Sequence, residues 1–104
     1  MTATSGLGAD TGTPAARAWT FLTNHGHVMV FLSRQPDARI RDVAAAVGIT
    51  ERATQAILSE LEADGYLTRV KAGRRNRYEL HPDLTFRHPI EASRPIGELL
   101  RIFG

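Results

Sequence analysis

Apolar residues recur at the spacing of an α-helix in two neighbouring stretches near the middle of the chain. One side of the first predicted helix carries Ile40, Val43 and Val47. Gly48 follows, and glycine is the residue that most often ends a helix. In the second stretch, Thr50 is placed to cap a helix over residues 51–64. The core-facing positions of this second helix are Thr54, Ile57, Leu58 and Leu61.

Another helix is predicted upstream, over residues 25–35, in a segment rich in large apolar side chains. Asn24 is its candidate N-cap, and Pro36 ends it because the residue before a proline avoids helical geometry. Trp19 and Phe21 precede this helix. We expect this aromatic pair to dock the N-terminal arm on the core; the alternative is an exposed pair that joins a partner chain.

After Gly65 the pattern changes to that of β-strands. Residues 66–71 and 77–80 are short runs with β-branched and aromatic side chains, and the second run alternates apolar with polar positions. Between them lies the sequence AGRRN, which has the length of a turn and contains a glycine. These features predict a β-hairpin.

The pattern after Pro82 allows more than one course of the chain. Pro89 is able to open a helix, and Pro95 either kinks that helix or starts a second one capped by Ser93. An apolar stripe at helical spacing closes the sequence and has two interpretations: it packs on the first helix, or it pairs with a second copy across a two-fold axis. We favour the dimer. The stripe consists of Ile96, Leu99, Leu100 and Phe103.

Length and composition narrow the class of protein. A chain of 104 residues forms one small domain, and we divide it into a flexible leader (1–16), a main domain (17–85) and a C-terminal helical segment (86–104) as a possible dimerisation element. The absence of cysteine excludes disulfides and thiolate metal sites. No secretory signal is recognisable, and no run approaches the roughly 18 apolar residues that a membrane span requires. We therefore expect a cytoplasmic protein without membrane contact.

Positive charge gathers on the predicted hairpin. The formal net charge is only +2, so an electrostatic function must come from the distribution of charge and not from its total. A basic hairpin is often an ordinary solvated turn, since Lys and Arg keep strand edges soluble. The candidate residues of this hairpin are Arg69, Lys71, Arg74, Arg75, Asn76 and Arg77.

The order helix, helix-turn-helix and basic hairpin resembles the DNA-binding domain of prokaryotic winged-helix regulators of the MarR and ArsR type. The resemblance covers residues 25–81 and is carried by the run ITERATQAILSELEADGYLTRVKAGRRNRYEL, with its LE-x-x-G-Y-L exit from the second helix. The fold that it implies is mainly α with a small β-hairpin (α+β), a winged helix-turn-helix. The chain departs from the pattern at Thr54, where such helices often carry Val, and in lacking the long extra helices that many MarR proteins use to dimerise.

The helix over residues 51–64 has a second, small or polar face beside its core-facing stripe. An α-helix fits the major groove, where Arg recognises guanine and Gln recognises adenine. Glu51 either accepts a hydrogen bond from cytosine or only favours the helix N-terminus. We predict that this face contacts bases while the basic hairpin, or wing, lies on the phosphate backbone or in the minor groove. The recognition-helix candidates are Thr50, Glu51, Arg52, Gln55, Ala56 and Ser59.

The sequence therefore predicts a transcriptional regulator that binds double-stranded DNA sequence-specifically and is dimeric through its N-terminal and C-terminal segments. The competing hypothesis is a winged-helix protein–protein interaction module that does not bind DNA. No catalytic motif is recognisable, so we expect no enzyme and no cofactor. The spacing of the four histidines does not favour a metal site. No small-molecule pocket is defined; an effector would fit best between the C-terminal segment and the first helix.

Replacing Arg74 and Arg75 together by Ala should weaken binding to double-stranded DNA of any sequence and reduce its dependence on salt, because phosphate contacts release counterions. A salt series on random duplex DNA measures both effects. An unchanged slope of affinity against salt would contradict the assignment of the wing.

Overall fold

The computed structural model describes residues 18–104, so the predicted flexible leader lies outside the described residues. Within that range the chain forms four helices and a two-stranded antiparallel sheet. This confirms the predicted fold class, mainly α with a small β-hairpin. In chain order the elements are α1 (Asn24–Arg34), α2 (Ile40–Val47), α3 (Glu51–Ala63), β1 (Leu67–Ala72), β2 (Arg75–Leu80) and α4 (Ile96–Phe103).

The tight turn between α2 and α3 forms as the sequence predicts. Gly48 adopts the left-handed conformation that ends α2, and its amide donates to the Ala44 carbonyl at 2.8 Å. Thr50 caps α3, since its hydroxyl accepts a hydrogen bond from the amide of Ala53 at 3.0 Å. Both helix ends at the turn therefore satisfy backbone groups, which fixes the geometry of the helix-turn-helix.

The predicted cap of α1 is wrong by one residue. Thr23, and not Asn24, is the N-cap: its backbone is extended, and its hydroxyl accepts from the amide of Gly26 at 3.3 Å. Asn24 already belongs to the helix. Asparagine and threonine are both good N-caps, so local sequence does not decide between these neighbours.

The core lies where α1, α2 and α3 meet β1 and β2. The predicted stripe of α3 is buried along its whole length: Thr54, Ile57, Leu58 and Leu61. Thr54 is a polar member of this core, and its hydroxyl donates to the Thr50 carbonyl at 2.9 Å. Because that bond satisfies the hydroxyl, threonine is accommodated where a valine would also fit.

The hairpin turn is shorter than predicted. The strands pair up to Ala72 and Arg75, which leaves a two-residue turn of Gly73 and Arg74. Gly73 has the positive φ, 66°, that a tight hairpin turn requires. Arg75 and Asn76 consequently lie in β2 and not in a longer loop, which corrects the boundary predicted from AGRRN.

The chain between the hairpin and α4 follows one of the two predicted courses in part: a helix starts after Pro95, but no helix precedes it in this segment. Residues 89–93 form turns, so Pro89 does not open a helix, and α4 begins after Pro95 without a side-chain cap from Ser93. Backbone acceptors replace that cap. The amide of Ile96 donates to the Leu84 carbonyl at 2.7 Å, and the amide of Gly97 donates to the Pro82 carbonyl at 2.9 Å.

The start of α4 lies very close to the segment after β2. A Cβ atom added at Gly97 would lie 2.8 Å from the Cβ of Pro82 and 3.0 Å from its carbonyl oxygen. Glycine at this position therefore permits the approach that the two backbone hydrogen bonds require.

The inner face of α4 packs on α1 through the buried side chains of Ile96 and Leu100. This agrees with the first interpretation of the C-terminal stripe. Ile102, on the outer face, is 73% exposed, and Phe103, at the end of the stripe, is also exposed. The dimer interpretation thus concerns only the outer face, where it stays a prediction.

The expectation that the aromatic pair docks on the core is wrong. Phe21 is 92% exposed, Trp19 is also exposed, and their rings contact each other edge to face with centroids 5.0 Å apart. Leu22 takes the place beside α1 instead, close against Gly26. The pair therefore lies in solvent, as the alternative interpretation requires.

Replacing Leu58 by Ala should reduce the free energy of unfolding by about 2–5 kcal/mol, because it leaves a cavity in a fully buried site. Denaturant unfolding followed by circular dichroism measures the change. Gln55→Ala, on the exposed face of the same helix, is the control and should change stability by less than about 0.5 kcal/mol. A similar loss in both variants would contradict this account of the core.

Candidate nucleic-acid interface

The face of α3 opposite the core is open to solvent. All six recognition-helix candidates are exposed: Thr50, Glu51, Arg52, Gln55, Ala56 and Ser59. Within residues 18–104, the side chains of Arg52 and Gln55 make no hydrogen bond or ion pair. Together with the small side chain of Ala56, they form a row whose polar groups are available to an external partner.

Two further members of the predicted helix set have local roles. Thr50 uses its hydroxyl to cap α3. Glu51 lies in the first turn of the helix, where a negative charge interacts favourably with the helix dipole. That placement is sufficient to explain an acid at this position without any contact to a base.

Ser59 and Arg69 are brought together. Arg69 Nη2 donates to the Ser59 hydroxyl at 3.0 Å, and Arg69 Nε lies 3.2 Å from Glu62 Oε1. The Arg69 side chain is only 26% exposed. Its guanidinium thus points back to α3 instead of outward from the wing.

The two arginines of β2 contact the loop between α1 and α2. Arg75 Nη2 donates to the Asp37 carbonyl, and Arg77 Nη1 lies 3.9 Å from Asp37 Oδ1. The same loop pairs with the strand itself, because the amide of Tyr78 donates to the Pro36 carbonyl at 3.0 Å. The loop between α1 and α2 therefore contacts β2 through one backbone hydrogen bond and through both arginines.

The tip of the wing keeps the unpaired cations. Lys71 and Arg74 are exposed and, among the described residues, have no acidic partner within ion-pair distance. Asn76 pairs with Lys71 across the strands and is half-buried. The predicted basic cluster is therefore divided: its tip is free, whereas Arg69, Arg75 and Arg77 are held by contacts with the rest of the domain.

Two acidic residues that were not predicted from sequence, Asp37 and Glu62, hold these arginines. Glu62 lies three positions after Ser59, so the helical period places both on one face of α3. This spacing is a sequence signal that the two side chains contact the same partner. No comparable signal exists for Asp37, because its proximity to β2 depends on the tertiary fold.

The histidines have protein partners within the described chain. His25 Nε2 lies 2.6 Å from Glu60 Oε1, and His81 Nε2 lies 2.7 Å from the Thr68 hydroxyl. His27 contacts Thr20 at 3.3 Å. In residues 18–104, no three His, Asp or Glu side chains come together in a group able to hold a metal ion.

A groove of about 630 Å³ lies between the start of α1, the end of α3 and the segment leading to α4. Met29, Leu61 and Ile96 contribute apolar side chains, and the His25–Glu60 pair lies among its polar lining residues. From sequence, an effector is predicted to fit best in this region, and an effector there stays a prediction.

No helix in the described range is both long and apolar enough to cross a lipid bilayer. The predicted cytoplasmic location stays a prediction.

Three helices followed by a hairpin with an exposed basic tip define the winged helix-turn-helix class of domain. A family model described as winged helix-turn-helix DNA-binding matches residues 24–68, from the start of α1 into β1. The resemblance to winged-helix regulators is thereby confirmed at the level of this class. The more specific resemblance to the ArsR type stays a prediction.

Among solved structures, the chain is similar to MepR, described as a transcription regulator of the Staphylococcus aureus multidrug efflux pump MepA. The two chains superpose with a TM-score of 0.54 and share 23% sequence identity. The match covers 78% of this chain and 53% of MepR, so the present chain spans about half the length of that protein. At this identity the likeness establishes the fold. No curated protein sequence matches the chain.

Proposed function

We propose that the protein is a sequence-specific transcriptional regulator that binds double-stranded DNA, with α3 in the major groove and the wing on the neighbouring backbone or in the minor groove. The observation that carries this proposal is the exposed row of Arg52, Gln55 and Ala56, whose polar members have no partner within residues 18–104. The matched DNA-binding family model supports it independently.

The chemistry of this row suits base recognition. Arg52 has the planar fork that binds guanine O6 and N7, and Gln55 has the amide that pairs with adenine N6 and N7. Ala56 adds no bulk between them, so the helix axis is able to approach the base edges, where a methyl side chain also suits the thymine methyl group. The row is held at a fixed orientation because the opposite side of α3 is packed in the core.

The wing supplies contacts that do not depend on base sequence. Lys71 and Arg74 have no acidic partner within residues 18–104, and at the wing tip a phosphate oxygen or a narrow minor groove is the natural acceptor for their charge. Arg75 and Arg77 add positive potential from positions that their Asp37 contacts hold in place. Phosphate contacts of this kind set affinity and register, whereas α3 sets the sequence preference.

The regulator is proposed to act as a homodimer. The exposed side chains of Ile102 and Phe103 on α4, and of Trp19 and Phe21 before α1, are large apolar groups at the two terminal segments. Pairing such surfaces across a two-fold axis would place two copies of α3 about one DNA turn, roughly 34 Å, apart on a palindromic site.

A protein–protein interaction module is the second candidate, and the same exposed apolar side chains favour it. In that case a foreign protein, and not a second copy, would cover them. The unpaired polar row on α3 and the basic wing tip have no role in this alternative, which is why we prefer DNA binding.

Replacing Gln55 by Ala should cost about 1–3 kcal/mol of binding free energy at the preferred DNA site and leave binding to random duplex DNA nearly unchanged. The preferred site is first selected from a random duplex library. Competition titrations with selected and random duplexes then give the ratio of affinities. An equal loss on both would show that Gln55 does not read bases.

Replacing Arg74 alone by Ala should reduce the slope of log affinity against log salt by about one, as expected for the loss of one phosphate contact. Arg75→Ala should reduce it less, because Arg75 is held by the Asp37 carbonyl. Titrations of random duplex DNA at several salt concentrations measure both slopes. Equal slopes in Arg74→Ala and the unmodified chain would remove the wing tip from the interface.

Replacing Ile102 by Asp should convert the dimer to a monomer, because a charge on the outer face of α4 opposes burial of that face. Sedimentation equilibrium of the full chain measures the mass. Ile90→Asp is the matched control, since Ile90 is 81% exposed but lies outside α4, and it should leave the mass unchanged. A monomer in the unmodified chain would contradict the dimer.

A further inference from the structure

We propose that Arg69 and Glu62 form a clamp that fixes the angle of the wing against α3, so that Arg69 is a positioning residue and not a phosphate contact. This inference rests on the proposed function, because the angle of the wing matters only when α3 and the wing engage the same DNA. It changes the role of Arg69 within the basic cluster.

The contacts of Arg69 all point to the recognition helix. Its Nη2 donates to the Ser59 hydroxyl at 3.0 Å, and its Nε lies 3.2 Å from Glu62 Oε1. Ser59 and Glu62 are one helical turn apart, so the planar guanidinium spans a turn of α3 from a single position on β1. Lysine has no such fork and would reach only one of the two partners.

Arg69 is also the least exposed of the four arginines of the wing. Its side chain is 26% exposed, against 54% for Arg77, and its Nε is shielded from solvent and makes no aligned hydrogen bond. The nearby Glu62 carboxylate therefore stabilises this positive charge by Coulomb attraction. A neutral residue at position 62 would leave the Arg69 guanidinium without a counter-charge, and this favours movement of the guanidinium into solvent.

The clamp lies in β1 at a distance from the hairpin turn, so a rotation at the clamp moves the tip of the wing. Arg69 lies opposite Tyr78, which is buried, and β1 then continues through exposed Lys71 to the turn at Gly73. Three residues of strand separate Arg69 from Gly73, so the two Cα atoms lie about 13 Å apart at the rise of a β-strand. A small rotation at the clamp thus becomes a larger displacement at the tip, where Arg74 is proposed to meet DNA.

The clamp also changes what Ser59 is able to do. Its hydroxyl oxygen accepts from Arg69, so a contact between Ser59 and a base is limited to the O–H group and the remaining lone pair. The residues best placed to read bases are therefore Arg52, Gln55 and Ala56, whose polar groups have no partner within residues 18–104.

A comparison of Glu62→Gln with Glu79→Gln tests the proposal by the sign of its effect. Each substitution removes one negative charge from the DNA-binding part of the domain, and Glu79 is exposed on β2 with no ion pair among the described residues. Electrostatics alone predicts that both variants bind DNA more tightly. The clamp predicts that Glu62→Gln binds the selected duplex about tenfold more weakly, whereas Glu79→Gln binds as well as the unmodified chain or better.

Arg69→Lys provides a second variant that keeps the charge. If Arg69 positions the wing, Arg69→Lys should lose affinity to a similar extent as Glu62→Gln. If Arg69 binds a phosphate, the lysine variant should retain both the affinity and the salt slope, and this result would overturn the clamp. Equal thermal unfolding midpoints for all variants show that the fold is kept.

Nuclear magnetic resonance of the Arg69 Nε–H group gives a readout that does not need DNA. Its exchange with water should be slow in the unmodified chain and in Glu79→Gln, and fast in Glu62→Gln. Equal exchange in all three would overturn the clamp. Failure of the unmodified chain to bind any duplex at low salt would instead overturn the proposed function, while the exchange data would still judge whether Glu62 holds Arg69.

Discussion

Burial of one stripe of α3 is the constraint on which the rest of the structure depends. Leu58 and Thr54 are fully withdrawn from solvent, and Ile57 and Leu61 nearly so. Because a helix has one orientation when its apolar stripe is buried, the opposite row is necessarily presented to solvent. The core of the domain and its proposed DNA-reading surface are therefore two sides of one helix, and a substitution on either side is best judged by its effect on both.

Local signals predicted much of the fold. The helical period, the Thr50 cap and the glycine after α2 each act over a few residues, so the helix-turn-helix follows from sequence alone. The course around Pro89 and Ser93 did not, because the amides at the start of α4 are satisfied by carbonyls that lie more than ten positions away in sequence, at Pro82 and Leu84. When distant backbone carbonyls cap a helix, the residues beside the helix give no sequence signal for where it begins.

The candidate site also has features that follow from the sequence and features that depend on the tertiary fold. Exposure of Arg52 and Gln55 follows from the period of α3 and was predictable. Which arginines of the wing are free was not, because Asp37 reaches β2 only in the folded chain. A count of basic residues describes the wing as uniformly positive. In the part of the chain that the structure describes, however, three of its arginines contact neighbouring elements, and the charge without an ion-pair partner lies at the tip.

The close contact between α4 and Pro82 has a consequence for how the C-terminal helix tolerates change. On intrinsic propensity, glycine is among the poorest helix residues, about 1 kcal/mol worse than alanine. At Gly97, however, a methyl group would collide with Pro82 and separate the very backbone groups that start the helix. The ordinary rule for strengthening a helix is thus inverted at this one position: the weakest helix former in α4 is the residue that allows α4 to attach to the domain.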